Sequence, residues 1–139
     1  MNLFDAAVDE LVSRAEMIAA EIAALPLGQQ VDALNRIRQA LHAVSPFAAE
    51  PVDCVLWLPA GNVQANDYNP NRVAPPEMKL LRRSIRQDGY TQPIVGYSET
   101  GSLADSVEVV DGFHRNRVGK EDKQVAARIH GYLPVTIIN

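Results

Sequence analysis

Apolar residues near the start of the chain recur in a helical rhythm. Phe4, Val8, Leu11, Ala15, Ile18, Ile22 and Leu25 alternate spacings of four and three, which puts them on one stripe of an α-helix over residues 3–25. Leu25-Pro26-Leu27-Gly28 breaks the rhythm. It resumes over about 28–44 with Val31, Leu34, Ile37, Leu41 and Val44, and Ser45-Pro46 stops it. Two amphipathic helices joined by a short turn predict an antiparallel helical hairpin over 1–45. Its stripe needs a cover, either the following domain or a second copy. A homodimer through residues 3–44 is therefore one expectation.

The pattern then changes. Residues 46–53 carry two prolines and little periodicity, and read as a linker. Short apolar runs follow: Cys54 to Pro59, Val63 to Asn66, Pro93 to Tyr97, Val107 to Val110 and Leu133 to Ile138 are predicted strands. Between them lie helical segments. Pro75-Pro76 suits a helix start, Glu77 its positive end and Gly89 its stop, with Met78, Leu81 and Ile85 facing in. A second helix follows Gly112 and runs to about Asp122, and a third covers Gln124 to His130. Strands alternating with helices predict an α+β or α/β domain over residues 54–139. The chain closes on an apolar strand, so further chain or a partner is expected beyond it.

Composition narrows the classes. The 139 residues suffice for one domain with a core and a small appendage. No apolar run is long enough to span a bilayer, and Met1-Asn2-Leu3-Phe4-Asp5 is not a signal peptide, so no membrane is expected. The one cysteine, Cys54, sits among Val52, Val55 and Leu56 and reads as a small buried residue. These features point to the cytoplasm. The net charge of −4 is uneven: residues 1–50 hold seven acids against three Arg, while residues 51–139 hold ten of each sign. That is not the global basic signature of a dedicated nucleic-acid binder. Locally, Lys79, Arg82, Arg83 and Arg86 lie on the outer faces of their helix, either as a solvated surface or as a nucleic-acid or partner contact.

The candidate chemistry lies in Val109-Val110-Asp111-Gly112-Phe113-His114-Arg115-Asn116-Arg117-Val118. It reads as a buried strand that breaks at a glycine and turns into a helix. A helix start offers unpaired N–H groups and a partial positive charge. Glycine lets an anion approach the backbone, and Arg supplies forked donors matched to phosphate oxygens. Gly112, His114, Arg115 and Arg117 thus form a candidate phosphate site. Arg115 and Arg117 point apart on a regular helix, so both reach one anion only if Arg115 lies in the open first turn. Asp111 is either a turn or N-cap residue, or a Mg²⁺ ligand sharing the ion with phosphates and a candidate catalytic carboxylate. Trp57 reads as core. Tyr90, next to Gly89, is the better candidate for stacking on a base. His42 and His130 lack ligand spacing for zinc.

Three blocks carry a family resemblance. Asn66-Asp67-Tyr68-Asn69-Pro70-Asn71-Arg72, Ser84-Ile85-Arg86-Gln87-Asp88-Gly89-Tyr90-Thr91-Gln92-Pro93-Ile94 and Val110-Asp111-Gly112-Phe113-His114-Arg115-Asn116-Arg117-Val118 occur in this order. Together they resemble the ParB N-terminal/sulfiredoxin superfamily over roughly 55–138. The resemblance implies a small mixed-sheet domain that binds a nucleoside triphosphate, ATP or CTP, with Mg²⁺. By position it makes Gly112, His114, Arg115 and Arg117 phosphate ligands. Gln92 would lie near the base or sugar, and Asn69, which turn chemistry beside Pro70 also explains, would be a hydrogen-bond donor to the nucleotide.

Departures from the family pattern limit what carries over. Sulfiredoxin has its reactive Cys where this chain has Phe113, and Phe offers no nucleophile, so sulfiredoxin activity is not expected. ParB has Glu there, so its hydrolytic role does not transfer. The ParB helix-turn-helix lies beyond the third block. In detail the blocks resemble small phage- and island-encoded IbrB-like proteins, which implies regulation of transcription alongside a PAPS-reductase-like partner. Two other readings stand beside nucleotide binding. One is an enzyme, a nucleotide hydrolase, phosphotransferase or metal-dependent nuclease using Asp111. The other is a DNA-binding adaptor using Arg82, Arg83 and Arg86.

Overall fold

The computed structural model describes residues 2–65, 75–101 and 106–139. The chain divides into two units, Met1–Ala40 and Leu41–Asn139.

The first unit holds helix α1, Leu3–Ala23, and most of α2, Leu27–Ala43. The Asn2 side chain caps α1 by accepting from the Phe4 amide at 3.1 Å. Pro26 cannot continue the helix, and the Gln30 side chain donates to the Leu25 carbonyl at 2.7 Å across the turn. The predicted stripe is present but open: no residue of α1 is buried, and Phe4 is 79% exposed.

The second unit is α+β. Strands β1 (Leu56–Pro59), β2 (Val63–Gln64), β3 (Ile94–Tyr97), β4 (Val107–Asp111) and β5 (Tyr132–Ile138) form one mixed sheet in the order β1-β5-β3-β4-β2. β5 runs parallel to β3 and antiparallel to β1. β4 runs antiparallel to β3 and parallel to β2. Alternation sends Leu56, Leu58, Ile94, Val107, Val109, Leu133 and Val135 into one core. Each such side chain contributes about 1.5–3 kcal/mol on burial. Val110, in a stretch that reads as a buried strand, is 47% exposed because Val109 takes the inward position.

Helices α3 (Pro75–Asp88), α4 (Phe113–Glu121) and α5 (Lys123–Arg128) form a second cluster through Ile85, Val118 and Val125. Tyr90 and Ile129 pack against both clusters. Asp122, between α4 and α5, has a fully buried side chain. It accepts from the amides of Gln124 and Val125, both at 3.0 Å, and from Arg86 Nε at 2.7 Å. Arg128 spans the other direction, donating to the Ile85 and Arg86 carbonyls at 2.7 and 2.8 Å. That supplies donors to two of the C-terminal carbonyls of α3.

The stretch read as a linker is tied down. Residues Pro51–Asp53 form a short 3-10 turn, the Thr136 hydroxyl donates to the Pro51 carbonyl, and His42 Nδ1 lies 2.8 Å from Asp53 Oδ2. No helix among the described residues is long and apolar enough to cross a membrane.

Candidate functional site

The site is built where β4 meets α4. Gly112 has φ 92° and ψ 31°, a left-handed conformation that costs other L-residues about 1–2 kcal/mol. This turn redirects the chain from strand into helix in one residue. The Gly112 carbonyl accepts the Asn116 amide at 2.8 Å, the first bond of α4. The amides of Phe113, His114 and Arg115 precede that bond and form the open donors of the first turn. Among the described residues, no side chain caps this helix end.

Arg115 folds back over the turn. A Cβ on Gly112 would lie 3.0 Å from Arg115 Nη2, so the guanidinium occupies the space left by the missing side chain. Its Nη1 donates to Gln92 Oε1 at 3.3 Å, and its Nη2 lies 3.7 Å from Asp111 Oδ2. Its Nε is buried and has no acceptor among the described residues. A buried guanidinium N–H without an acceptor is costly and rare in a finished structure.

Sheet pairing explains how Gln92 arrives. β3 and β4 are antiparallel with Val95 opposite Asp111, so the residues just before β3 lie beside the turn just after β4. Asp111 Oδ1 accepts the Gly112 amide at 2.9 Å, while the carboxylate remains 75% exposed. His114 is half-buried in the same turn.

Other predicted residues go elsewhere. Arg117 is not brought to this group: its Nε donates to Glu121 at 3.0 Å on the outside of α4. A two-residue offset on a regular helix has this result. Tyr90 is not a stacking platform. Its hydroxyl donates to the Arg115 carbonyl at 2.6 Å, and burial pushes its pKa up to about 12. Gly119 makes room for it, since a Cβ there would meet Leu133 Cδ2 at 2.3 Å and the Tyr90 hydroxyl at 2.5 Å. Arg82 and Arg86 are not merely solvated, because both approach the buried Asp122. Asn69 lies outside the described residues. Among the described residues, no three His, Cys, Asp or Glu side chains group as a metal site.

Two supporting residues have roles that differ from the sequence expectation or were not foreseen in it. Tyr90 supports the backbone of the first turn of α4, and Asp122 anchors the far end of that helix. Asp122 did carry a local signal, an Asp just before a helical run. Tyr90 was visible as an aromatic beside a glycine, but its partner is 25 residues away and no local pattern points to it.

No family model matches the chain. It is 52% identical over 117 residues to YbdM, an uncharacterised protein of Escherichia coli (strain K12), an alignment that takes in 84% of this chain. The match spans 54% of that relative, so the chain covers about half of its length. Among solved structures, it is similar to C-terminally truncated ParB from Caulobacter crescentus complexed with CTP-gamma-S, at a TM-score of 0.48 and 21% identity. That match covers 61% of this chain and 44% of ParB. It is also similar to Arabidopsis thaliana sulfiredoxin, at a TM-score of 0.46 and 19% identity, over 61% of this chain and 84% of the other.

Proposed function

We propose that this chain binds a nucleotide at the β4–α4 turn. The phosphates sit on the open amides of Phe113, His114 and Arg115 and on the Arg115 guanidinium. The observation that carries the reading is the Arg115 side chain, folded over left-handed Gly112 with a buried Nε that has no acceptor among the described residues. A phosphate oxygen at the turn supplies that acceptor. Gln92, bonded to the same guanidinium, marks the side on which the sugar or base lies. The three sequence blocks resembling ParB and sulfiredoxin support a nucleoside triphosphate, ATP or CTP. Asp111 projects from the turn as the carboxylate that would share a Mg²⁺ with the phosphates. The IbrB-like resemblance adds a role in transcriptional control with a protein partner.

Isothermal titration of the protein with ATP, CTP and GTP, each with Mg²⁺, tests this. One of the three should bind, and Arg115→Ala should abolish binding. Absence of heat with all three sinks the reading.

A hydrolytic enzyme is the second reading, favoured by the exposure of the Asp111 carboxylate beside the same turn. Release of inorganic phosphate that disappears in Asp111→Asn supports it. Binding without release leaves the site as a receptor.

A further inference from the structure

We infer that the outer face of α3 binds the phosphodiester backbone of a nucleic acid, at a site separate from the β4–α4 turn. Lys79, Arg82, Arg83 and Arg86, with Pro76 and Leu80, line an open groove of about 650 Å³. On a helix turning 100° per residue, Lys79, Arg83 and Arg86 fall within roughly 60° of arc. The acids of the same helix, Glu77 and Asp88, fall on the opposite side. The groove therefore gathers cations although the chain as a whole carries a net −4.

The four cations are held differently. Asp122 grips Arg86 Nε at 2.7 Å from beneath and lies 3.7 Å from Arg82 Nε. Both arginines keep partial exposure, 38% and 48% of the side chain, so their outer N–H groups face the groove. Arg82 Nε is buried and lacks a hydrogen-bond acceptor among the described residues. Among the described residues, Lys79 and Arg83 have no acidic partner. One buried carboxylate lies beneath two of the four cations, Arg82 and Arg86, and leaves the face as a whole positive on an ordered base.

The spacing selects the ligand. Lys79 to Arg86 covers about 10 Å of helix axis, too long to converge on one phosphate. A nucleic-acid strand repeats its charge about every 3.4 Å along the duplex axis, so such a row meets several phosphates at once. Three of the four cations are arginines, whose forks match phosphate oxygens.

Fluorescence anisotropy of the full chain with labelled duplex and single-stranded DNA, over a range of salt, tests the inference. Affinity should fall with salt with a log–log slope of about −2 to −4 for duplex, and somewhat shallower for single strands. The double variant Lys79→Gln/Arg83→Gln should lose at least tenfold in affinity and about 2 units of slope. Its melting temperature and its response to ATP or CTP should match wild type, since neither residue contacts Asp122 or Arg115. Salt-independent binding, no binding at low salt, or a variant that binds like wild type overturns the inference. Displacement of the DNA by equimolar polyglutamate also overturns it, and assigns the groove to an acidic protein segment.

Discussion

The Tyr90 hydroxyl donates to the Arg115 carbonyl at 2.6 Å, so the residue that folds over the Gly112 turn is held by its backbone as well as by its side chain. Tyr90→Phe removes this part-buried bond and leaves the Arg115 carbonyl oxygen with one partner fewer. The expected loss is about 1 kcal/mol of stability, with weaker nucleotide binding. The pH dependence follows from the raised pKa. A tyrosine pushed from 10.0 to about 12 on folding stabilises the protein fully below pH 10, and that contribution is lost as pH rises from 10 towards 12. Chemical denaturation of wild type and variant across that range checks it. The alkaline decline should be shallower in Tyr90→Phe.

Gly112→Ala meets two obstacles at once. Its φ of 92° is strained for alanine, and its Cβ would press on the Arg115 guanidinium at 3.0 Å. Stability should fall by roughly 1–2 kcal/mol. Nucleotide affinity should fall by more than that loss explains, because Arg115 is pushed off the turn. Thermal melts paired with titration calorimetry separate the two effects. A variant that melts lower but binds normally contradicts this account of the turn.

Asp122 should control stability in acid. Burial raises its pKa, but the amides of Val125 and Gln124 and the guanidinium of Arg86 outweigh that and hold it below the ordinary 3.8. A depressed carboxyl stabilises the folded state above its unfolded pKa and loses that effect as pH falls through its folded pKa. Wild type should therefore weaken below about pH 4. Asp122→Asn should cost roughly 2–4 kcal/mol at neutral pH and flatten the acid decline. Urea midpoints measured from pH 2 to pH 7 decide it.

The α1 stripe leads to a prediction about assembly. Phe4, Leu11 and Ile18 are 79%, 58% and 47% exposed, and the stripe's four–three spacing matches the seam of a two-stranded coiled coil. A second copy of α1 is the expected cover. Light scattering should show a dimer at tens of micromolar, and Leu11→Glu with Ile18→Glu should make it monomeric. A wild-type monomer at every concentration rules this out.

The sequence made the strand–glycine–helix turn legible, because alternation in Val107–Val109 ends at the one residue type that adopts positive φ at little cost. The opposite directions of Arg115 and Arg117 followed from helix geometry alone. The meeting of Gln92 with Arg115 did not, since it depends on the register of β3 against β4, which no local pattern encodes. The basic helix face was only half legible. Four cations at helical spacing were visible, but the carboxylate beneath two of them lies 36 residues from Arg86 in the chain. Tyr90 shows the same limit: an aromatic beside a glycine turn looks the same whether it faces a ligand or a carbonyl.

Tyr90 and Ile129 belong to both apolar clusters, the one on the sheet and the one among the helices. Neither cluster can lose its packing without exposing side chains of the other. The floor beneath the Gly112 turn should therefore open only in global unfolding. Its amides should exchange with solvent at the slowest rate in the sheet-bearing unit, and ligand occupancy at the turn should raise the stability of that unit as one body.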